Sequence, residues 1–409
     1  MSNKWSPTKI GNLATLRKEK FDPKTEIVKK YIGLEHIEQR IGRINGYGDS
    51  SETTSIKSVF EKGDILFGKL RPYLRKYWYA QFRGVCATEI LPIVANENVN
   101  TKFLFYLLQQ DKFIDFLDQK SFGTKMPRTS WNEIKEYECI IPSLLVEQEK
   151  IVYILSSVDE VIEKTEVIIR QIEKVKKGLM QQLFTKGIGH TKFKRTEVGE
   201  IPEEWNLVKL EDISNVTGGK RLPKGKQLVD YDTGYPYLRV SDMNQNGVSL
   251  SDIKYVPRES APLIDRYRIY KGEIYISVAG TLGLIGQIPD ELDGVNLTEN
   301  ADRISAIQCN SKYLLYMLKS DLIQETIRKT QTSNAQPKLA LTRIKQFLIP
   351  LPNENEQEKI VKILSTVDNK IFNEKRKLNQ LHDLKKGLMQ SLLTGKVRVK
   401  VNEDEVTQA

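Results

Sequence analysis

At 409 residues the chain exceeds what a single hydrophobic core usually serves, which predicts two domains plus connecting helices. No run of eighteen apolar residues exists to span a membrane and the first thirteen residues lack the apolar core of a signal peptide, so a membrane partner is not expected and the expected location is cytoplasmic. The 63 Lys and Arg against 53 Asp and Glu leave a net charge of +10, a balance that favours a polyanionic partner.

Cys86, Cys139 and Cys309 are scattered without CxxC spacing, and His36, His190 and His382 have no histidine neighbour at ligand spacing. Neither a disulfide framework nor a metal site is expected.

In chain order, Trp5-Ser-Pro-Thr-Lys-Ile opens the first predicted domain, 1–145, and KGDILF at 62–67 reads as a turn into a short strand. GKLRPYLRKYWYAQF, 68–82, crowds Lys69, Arg71, Arg75 and Lys76 beside Tyr73, Tyr77 and Trp78, with Pro72 marking a turn. The plainer alternative is a hairpin whose aromatics are core and whose basic residues face water. FLFYLLQQD, 103–111, is amphipathic, and SFGTKMPRTS, 121–130, adds Lys125 and Arg128 on a loop.

A proline-marked exit, IIPSLLVEQ at 140–148, leads into a predicted helix over 146–186. Ile151, Leu155, Val158, Ile162, Thr165, Ile169, Ile172, Lys176, Leu179 and Leu183 follow alternating steps of four and three, the seam of a coiled coil. Gly178 interrupts it, so the helix either kinks or ends there, or approaches a partner helix closely. The stretch 184–205 is rich in glycine and charge without periodicity, and 187–204 is read as a linker.

The second half repeats the plan. Trp205-Asn-Leu-Val-Lys-Leu opens a second domain, 205–354, KGEIYI at 271–276 matches KGDILF, and YLLYMLKSD at 313–321 matches FLFYLLQQD. In place of the basic loop stands SVAGTLGLIG, expected to be a tight turn between strands; it lacks the order of a dinucleotide loop. A second helix, 355–396, carries its seam on Ile360, Leu364, Val367, Ile371, Glu374, Leu378, Leu381, Lys385, Leu388 and Leu392, with Asn353 and Glu356 resembling a capping box and Gly387 matching Gly178. The tail, 397–409, is expected to fray after Lys400. Residues 147–185 and 356–394 align without a gap, and 21 of these 39 positions are identical. The chain is therefore a tandem duplication.

Two diverged segments, each entered by a W-x3-K-[LI] start and left through a proline-marked EQ-x-KI helix ending in KKGLMQ-x-L, resemble the DNA-specificity subunit of type I restriction-modification systems. The similarity runs from Trp5 to about Arg398. It implies a mixed α/β fold with two target-recognition domains, separated by two long helices packed as an antiparallel coiled coil about a pseudo-two-fold axis. It further implies that each domain reads one half of a bipartite, asymmetric site in double-stranded DNA. The helices would dock two copies of a methyltransferase (modification) subunit, and a separate restriction/translocase subunit would complete the complex.

On that reading the chain needs no cofactor and has no catalytic residues of its own. The sequence contains no Asn/Asp-Pro-Pro-aromatic methyltransferase tetrapeptide and no GxxxxGK[ST] loop, and Pro289-Asp290 has no Glu-x-Lys after it. Candidate DNA contacts are Lys69, Arg71, Tyr73, Arg75, Lys76, Lys125 and Arg128 in the first domain. In the second they are Lys220, Arg221, Lys224, Arg239, Asn244 and Lys338; a guanidinium suits a guanine edge, whereas most cations are expected on phosphate. Candidate docking residues are Gln148, Lys176, Lys177, Gln357, Lys385 and Lys386, from the two segments nearly identical between copies. The competing classes are a structural coiled-coil tether with two protein-binding heads, and an enzyme with an unrecognised active site.

Overall fold

The computed structural model describes residues 5–24, 27, 29–121, 126–245, 247–330 and 338–401. It divides into two compact units, Met1–Val167 with Lys375–Ala409, and Ile168–Glu374. The division falls inside both long helices, Leu145–Thr185 and Glu354–Leu392, so each unit holds the start of one and the end of the other.

In the first unit an antiparallel sheet runs in the order Ala14–Leu16, Ile90–Ala95, Ile65–Gly68, Tyr77–Tyr79. Ile65–Gly68 is buried along its whole length, which is why ILFG is apolar without alternation. A five-stranded sheet beside it contains one parallel pair, Tyr31 with Val85 and Ile32 with Cys86. The second unit repeats this design. Asn215–Gly218, Ala301–Ser305, Ile274–Ser277 and Ile285–Gln287 form its antiparallel sheet, and Tyr237 with Asn296 and Leu238 with Leu297 form its parallel pair.

Within each unit the two helices are antiparallel, the start of one lying beside the end of the other. Ile151 and Leu155 share the first unit's core with Leu392 and Leu393, and Ile360 and Leu364 share the second's with Leu183 and Phe184. The two seam lysines are answered from across the pair. Lys385 meets Asp159 at 2.7 Å and Lys176 meets Asp368 at 2.6 Å. Each aspartate also accepts from a tyrosine at 2.7 Å, Tyr106 and Tyr316 respectively, over whose ring the lysine lies. Both helices run unbroken through Gly178 and Gly387, and a Cβ added at either would meet nothing within 4 Å. Neither glycine ends its helix, and neither marks a close approach to another of the described residues.

The strand Trp5–Lys9 pairs with Glu138–Pro142, and Asn206–Lys209 with Leu348–Leu351, so each domain's first strand closes on its last just before the long helix. A buried glutamate at the helix start seals that closure. Glu147 is fully buried; it accepts from the Trp5 indole at 3.0 Å and from Arg398 at 2.8 and 3.0 Å. Glu356 accepts from the Trp205 indole at 3.0 Å and the Ile188 amide at 2.9 Å, with the His190 ring nitrogen 2.9 Å away.

Two expectations change as a result. The segment read as a linker holds a hairpin, Phe193–Thr196 with Gly199–Pro202, and its Ile201 is buried in the second core, so it belongs to the second domain. The first part of the tail plays the matching role in the first domain through Arg398, and 402–409 lie outside the described residues. The capping box is half formed: Asn353 caps the Glu356 amide at 3.0 Å, while the Glu356 carboxylate turns to Trp205 and His190.

Arg398→Ala would leave a buried carboxylate with the Trp5 indole as its one partner among the described residues, a loss of about 2 kcal/mol. Hydrogen exchange should then show reduced protection in the Trp5–Lys9 and Glu138–Pro142 pair, with Asn206–Lys209 and Leu348–Leu351 unaffected. Equal loss in both pairs would contradict the assignment.

Candidate nucleic-acid interface

The basic stretch 68–82 is a hairpin, with Ile65–Gly68 paired to Tyr77–Tyr79. Tyr77 and Trp78 are core residues, as the plainer reading held, while Tyr73 is exposed. The tip holds a left-handed backbone at both Arg71 (φ 51°) and Arg75 (φ 54°), a conformation that costs energy outside glycine. Two of its cations are committed internally. The Arg75 guanidinium pairs with Asp111 at 2.6 Å, and the Lys76 ammonium donates to the Leu34 carbonyl.

Arg71, Lys69 and Arg128 are brought together by backbone pairing. The Arg71 amide donates to the Pro127 carbonyl at 2.7 Å, the Thr129 amide to the Lys69 carbonyl at 3.0 Å, and the Lys69 amide to the Glu89 carbonyl at 2.8 Å. Arg128, whose side chain is more than half exposed, lies 3.5 Å from Glu89. Lys125 lies outside the described residues.

The second unit builds the same place from other residues. The Val278 amide donates to the Asn300 carbonyl at 2.7 Å and the Leu339 amide to the Val278 carbonyl at 3.0 Å, which makes Lys338 the structural counterpart of Arg128. The Gly219 and Lys220 amides donate to Ala301 and Leu297, so Lys220 and Arg221 flank the same turn, 298–301. Arg221 is exposed and pairs with Glu299 at 3.1 Å, and Lys224 is exposed. SVAGTLGLIG is the tight turn expected, with Gly280 and Gly283 at positive φ.

Arg239 is placed differently. It donates to Asp242 at 2.6 and 3.0 Å and to Asp252 at 3.1 Å, an internal brace for the loop around 240–252. Asn244 sits exposed on a separate short hairpin, Met243–Asn244 with Gly247–Val248.

Both faces therefore centre on one topological position, the turn leading from the parallel strand into the central strand of the antiparallel sheet: 87–90 in the first unit and 298–301 in the second. Of the eleven buried side-chain polar atoms without a hydrogen-bond partner among the described residues, five lie at or next to these turns. They are Arg71 Nε, Glu89 Oε2 and Thr129 Oγ1 in one unit, and Asn296 Oδ1 and Asp302 Oδ2 in the other. Such orphans are costly and call for an explanation, such as a partner supplied from outside. Burial pushes the Asp302 carboxyl up to about 6, with Lys338 pulling the other way. Glu89, Glu299 and Asp302 escaped the sequence reading, although the Thr-Glu pairs in ATEI and LTEN stand near matching places.

The docking candidates fare less well as surface residues. Gln148 is buried between the Asn100 amide and the Pro142 carbonyl, and Gln357 between the Asn310 amide and the Pro352 carbonyl. Lys176 and Lys385 tie the helices together. Lys177 and Lys386 remain largely exposed, near Asp321 at 3.3 Å and Asp111 at 3.6 Å. Among the described residues no cluster of His, Cys, Asp and Glu could hold a metal ion, and no helix is long and apolar enough to cross a membrane.

Comparison with known families places the chain. A model of the type I restriction modification DNA specificity domain matches residues 2–174 and again 202–383. The chain belongs to that family. The type I restriction enzyme MjaVIII specificity subunit of Methanocaldococcus jannaschii is 28% identical over 312 residues, 75% of this chain and 72% of that protein. The EcoDI specificity subunit of Escherichia coli is 26% identical over 225 residues, 54% of this chain and 47% of that one. A solved chain from a type I restriction-modification system aligns over 97% of this chain and 99% of its own, with a TM-score of 0.62 and 18% identity. A type I restriction-modification system S subunit from M. genitalium aligns over 98% of each chain, with a TM-score of 0.53 and 17% identity. At those identities the likeness concerns the fold, two domains joined through long helices.

Within this specificity-family fold, Asp302 gives a signed pH dependence. Its folded pKa of about 6 exceeds the usual 3.8, so its favourable contribution is complete below pH ~4 and lost as pH rises through ~6, roughly 3 kcal/mol in all. Asp302→Asn should therefore stabilise the second unit at pH 7.5 and have little effect at pH 4.5 in denaturant unfolding. An equal effect at both pH values would contradict the raised pKa of this buried carboxyl.

Proposed function

We propose that this chain is the DNA-specificity subunit of a cytoplasmic type I restriction-modification complex, with one half-site of a bipartite, asymmetric sequence read by each unit. The supporting observation is the pair of topologically equal turns, each ringed by cations and unpartnered buried polar atoms yet built from different residues. Equal position suits a common approach to a duplex; different residues suit different half-sites.

In the first unit Arg71 and Arg128 are the proposed readers and Lys69 a phosphate contact. In the second, Lys220, Arg221, Lys224 and Lys338 take these parts, with Asn244 at the margin. Arg75, Lys76 and Arg239 are braces. Two methyltransferase subunits dock on the helices, for which the exposed Lys177 and Lys386 remain candidates, and the restriction/translocase subunit joins that assembly. Methyl transfer and cleavage then belong to those partners.

The methylation motif of a host genome tests this directly. Arg71→Ala should relax selection at a base pair in one half of the motif, a cost of ~1–3 kcal/mol, and leave the other half unchanged. Arg75→Ala should leave both halves unchanged and cost at most about 1 kcal/mol of stability, since its ion pair is partly exposed. Relaxation of both halves by Arg71→Ala would overturn the one-unit, one-half-site assignment.

A further inference from the structure

Arg128 and Lys338 occupy equivalent positions, each directly after a proline, and each lies within electrostatic reach of an acid that the sequence does not align. Arg128 has Glu89, whose counterpart by backbone pairing is Asn300. Lys338 has Asp302, whose counterpart is Leu91: Asp302 pairs with Ile276 as Leu91 pairs with Phe67. Lys338 is also the charge acting on the Asp302 carboxyl. An exposed cation near a buried acid thus recurs at non-equivalent strand positions, as a 3.5 Å contact in the first unit and as a longer-range charge influence in the second, and simple inheritance through the duplication does not account for it.

In both places one carboxylate oxygen is buried without a hydrogen-bond partner among the described residues, although the neighbouring cation is exposed. Asp302 is 4% exposed, so this arrangement is not an ordinary surface ion pair. A strong internal ion pair is not its purpose either, because the 3.5 Å separation of Arg128 and Glu89 exceeds that of a good charge-assisted hydrogen bond.

An unaccompanied cation on a DNA-facing turn attracts any phosphate, and that attraction supplies non-specific binding. A fixed carboxylate behind the cation cancels much of the attraction at a distance and repels a phosphate that approaches without compensating contacts. Building on the DNA-reading function above, we propose that Glu89 and Asp302 are discriminating residues, one per half-site, which restrain Arg128 and Lys338 so that these cations engage DNA only where the correct half-site is docked. They act through the cation and touch no base. Arg221, paired with Glu299 at 3.1 Å, is restrained in the same way.

The test uses the full-length chain co-purified with its methyltransferase subunits, binding a cognate duplex and a scrambled duplex of equal length over a range of salt. Glu89→Gln and Asp302→Asn should each tighten binding to the scrambled duplex about three- to tenfold and steepen its log–log salt slope by about 0.9, one more phosphate contact each. Affinity for the cognate duplex should change less, so the ratio of the two falls. Glu89→Asn and Asp302→Leu, which install the residue found at the equivalent place in the other unit, provide second variants should either first choice fail to fold. Adding Arg128→Gln or Lys338→Gln to the matching variant should return the slope to that of the unmodified protein.

A merely structural carboxylate would lower the melting temperature and weaken both duplexes alike. That result overturns the proposal, as does an unchanged slope or a gain that survives removal of the cation. If the unmodified complex does not prefer the cognate duplex at all, the DNA-specificity reading fails instead, and the two failures are separable.

Discussion

The structure depends on a carboxylate buried at the start of each long helix. Glu147 gathers the indole of the domain's first strand and the Arg398 guanidinium from the segment after the other helix, and Glu356 gathers the Trp205 indole and the His190 ring. Burying a carboxylate is expensive unless every approach is answered, so these contacts lock three distant parts of the chain together or not at all. Once the helix start is fixed, the adjacent glutamine holds the amide that opens the next helix, Asn100 in one unit and Asn310 in the other. The aspartate three turns on then aligns the opposing helix through its lysine and tyrosine.

This explains why the helical segments have stayed nearly identical while the domains between them diverged. Glu147, Gln148, Ile151, Leu155, Asp159, Lys176 and their partners 209 positions later all serve the interior of a unit. Their identity follows from shared internal geometry, and partner docking is not required to account for it. The turns at 87–90 and 298–301 carry no such constraint: Glu89 stands opposite Asn300, Leu91 opposite Asp302, and Arg128 opposite Lys338. On the proposed function these turns are a place where different DNA sequences would demand divergence.

Much of the architecture was legible because duplication and heptad spacing are local, repeating signals. The two helices, the proline-marked strands before them, the hairpin at 68–82 and the turn at 278–284 all follow from such patterns. The roles of individual charges were not legible, since a lysine in a seam and a lysine on a surface look alike in one dimension. Lys176 and Lys385 found aspartates on the opposing helix, Arg75 found Asp111, and Arg239 found Asp242 and Asp252. Glu89 and Asp302 were invisible for the converse reason, as an acid draws attention only when its neighbours in space are known. The stretch at 187–204 lacked periodicity because a four-residue hairpin strand is too short to show any.

The central claim is that both DNA-facing surfaces are organised around one topological turn, repeated with different residues. Hydrogen exchange of the full assembly with and without a cognate duplex tests it most directly. The account predicts that DNA protects 68–71, 87–90 and 126–129 in the first unit together with 218–221, 298–302 and 338–341 in the second. Protection of Met243–Val248 and the Arg239 brace instead, with both turns exchanging as in the free protein, would contradict it.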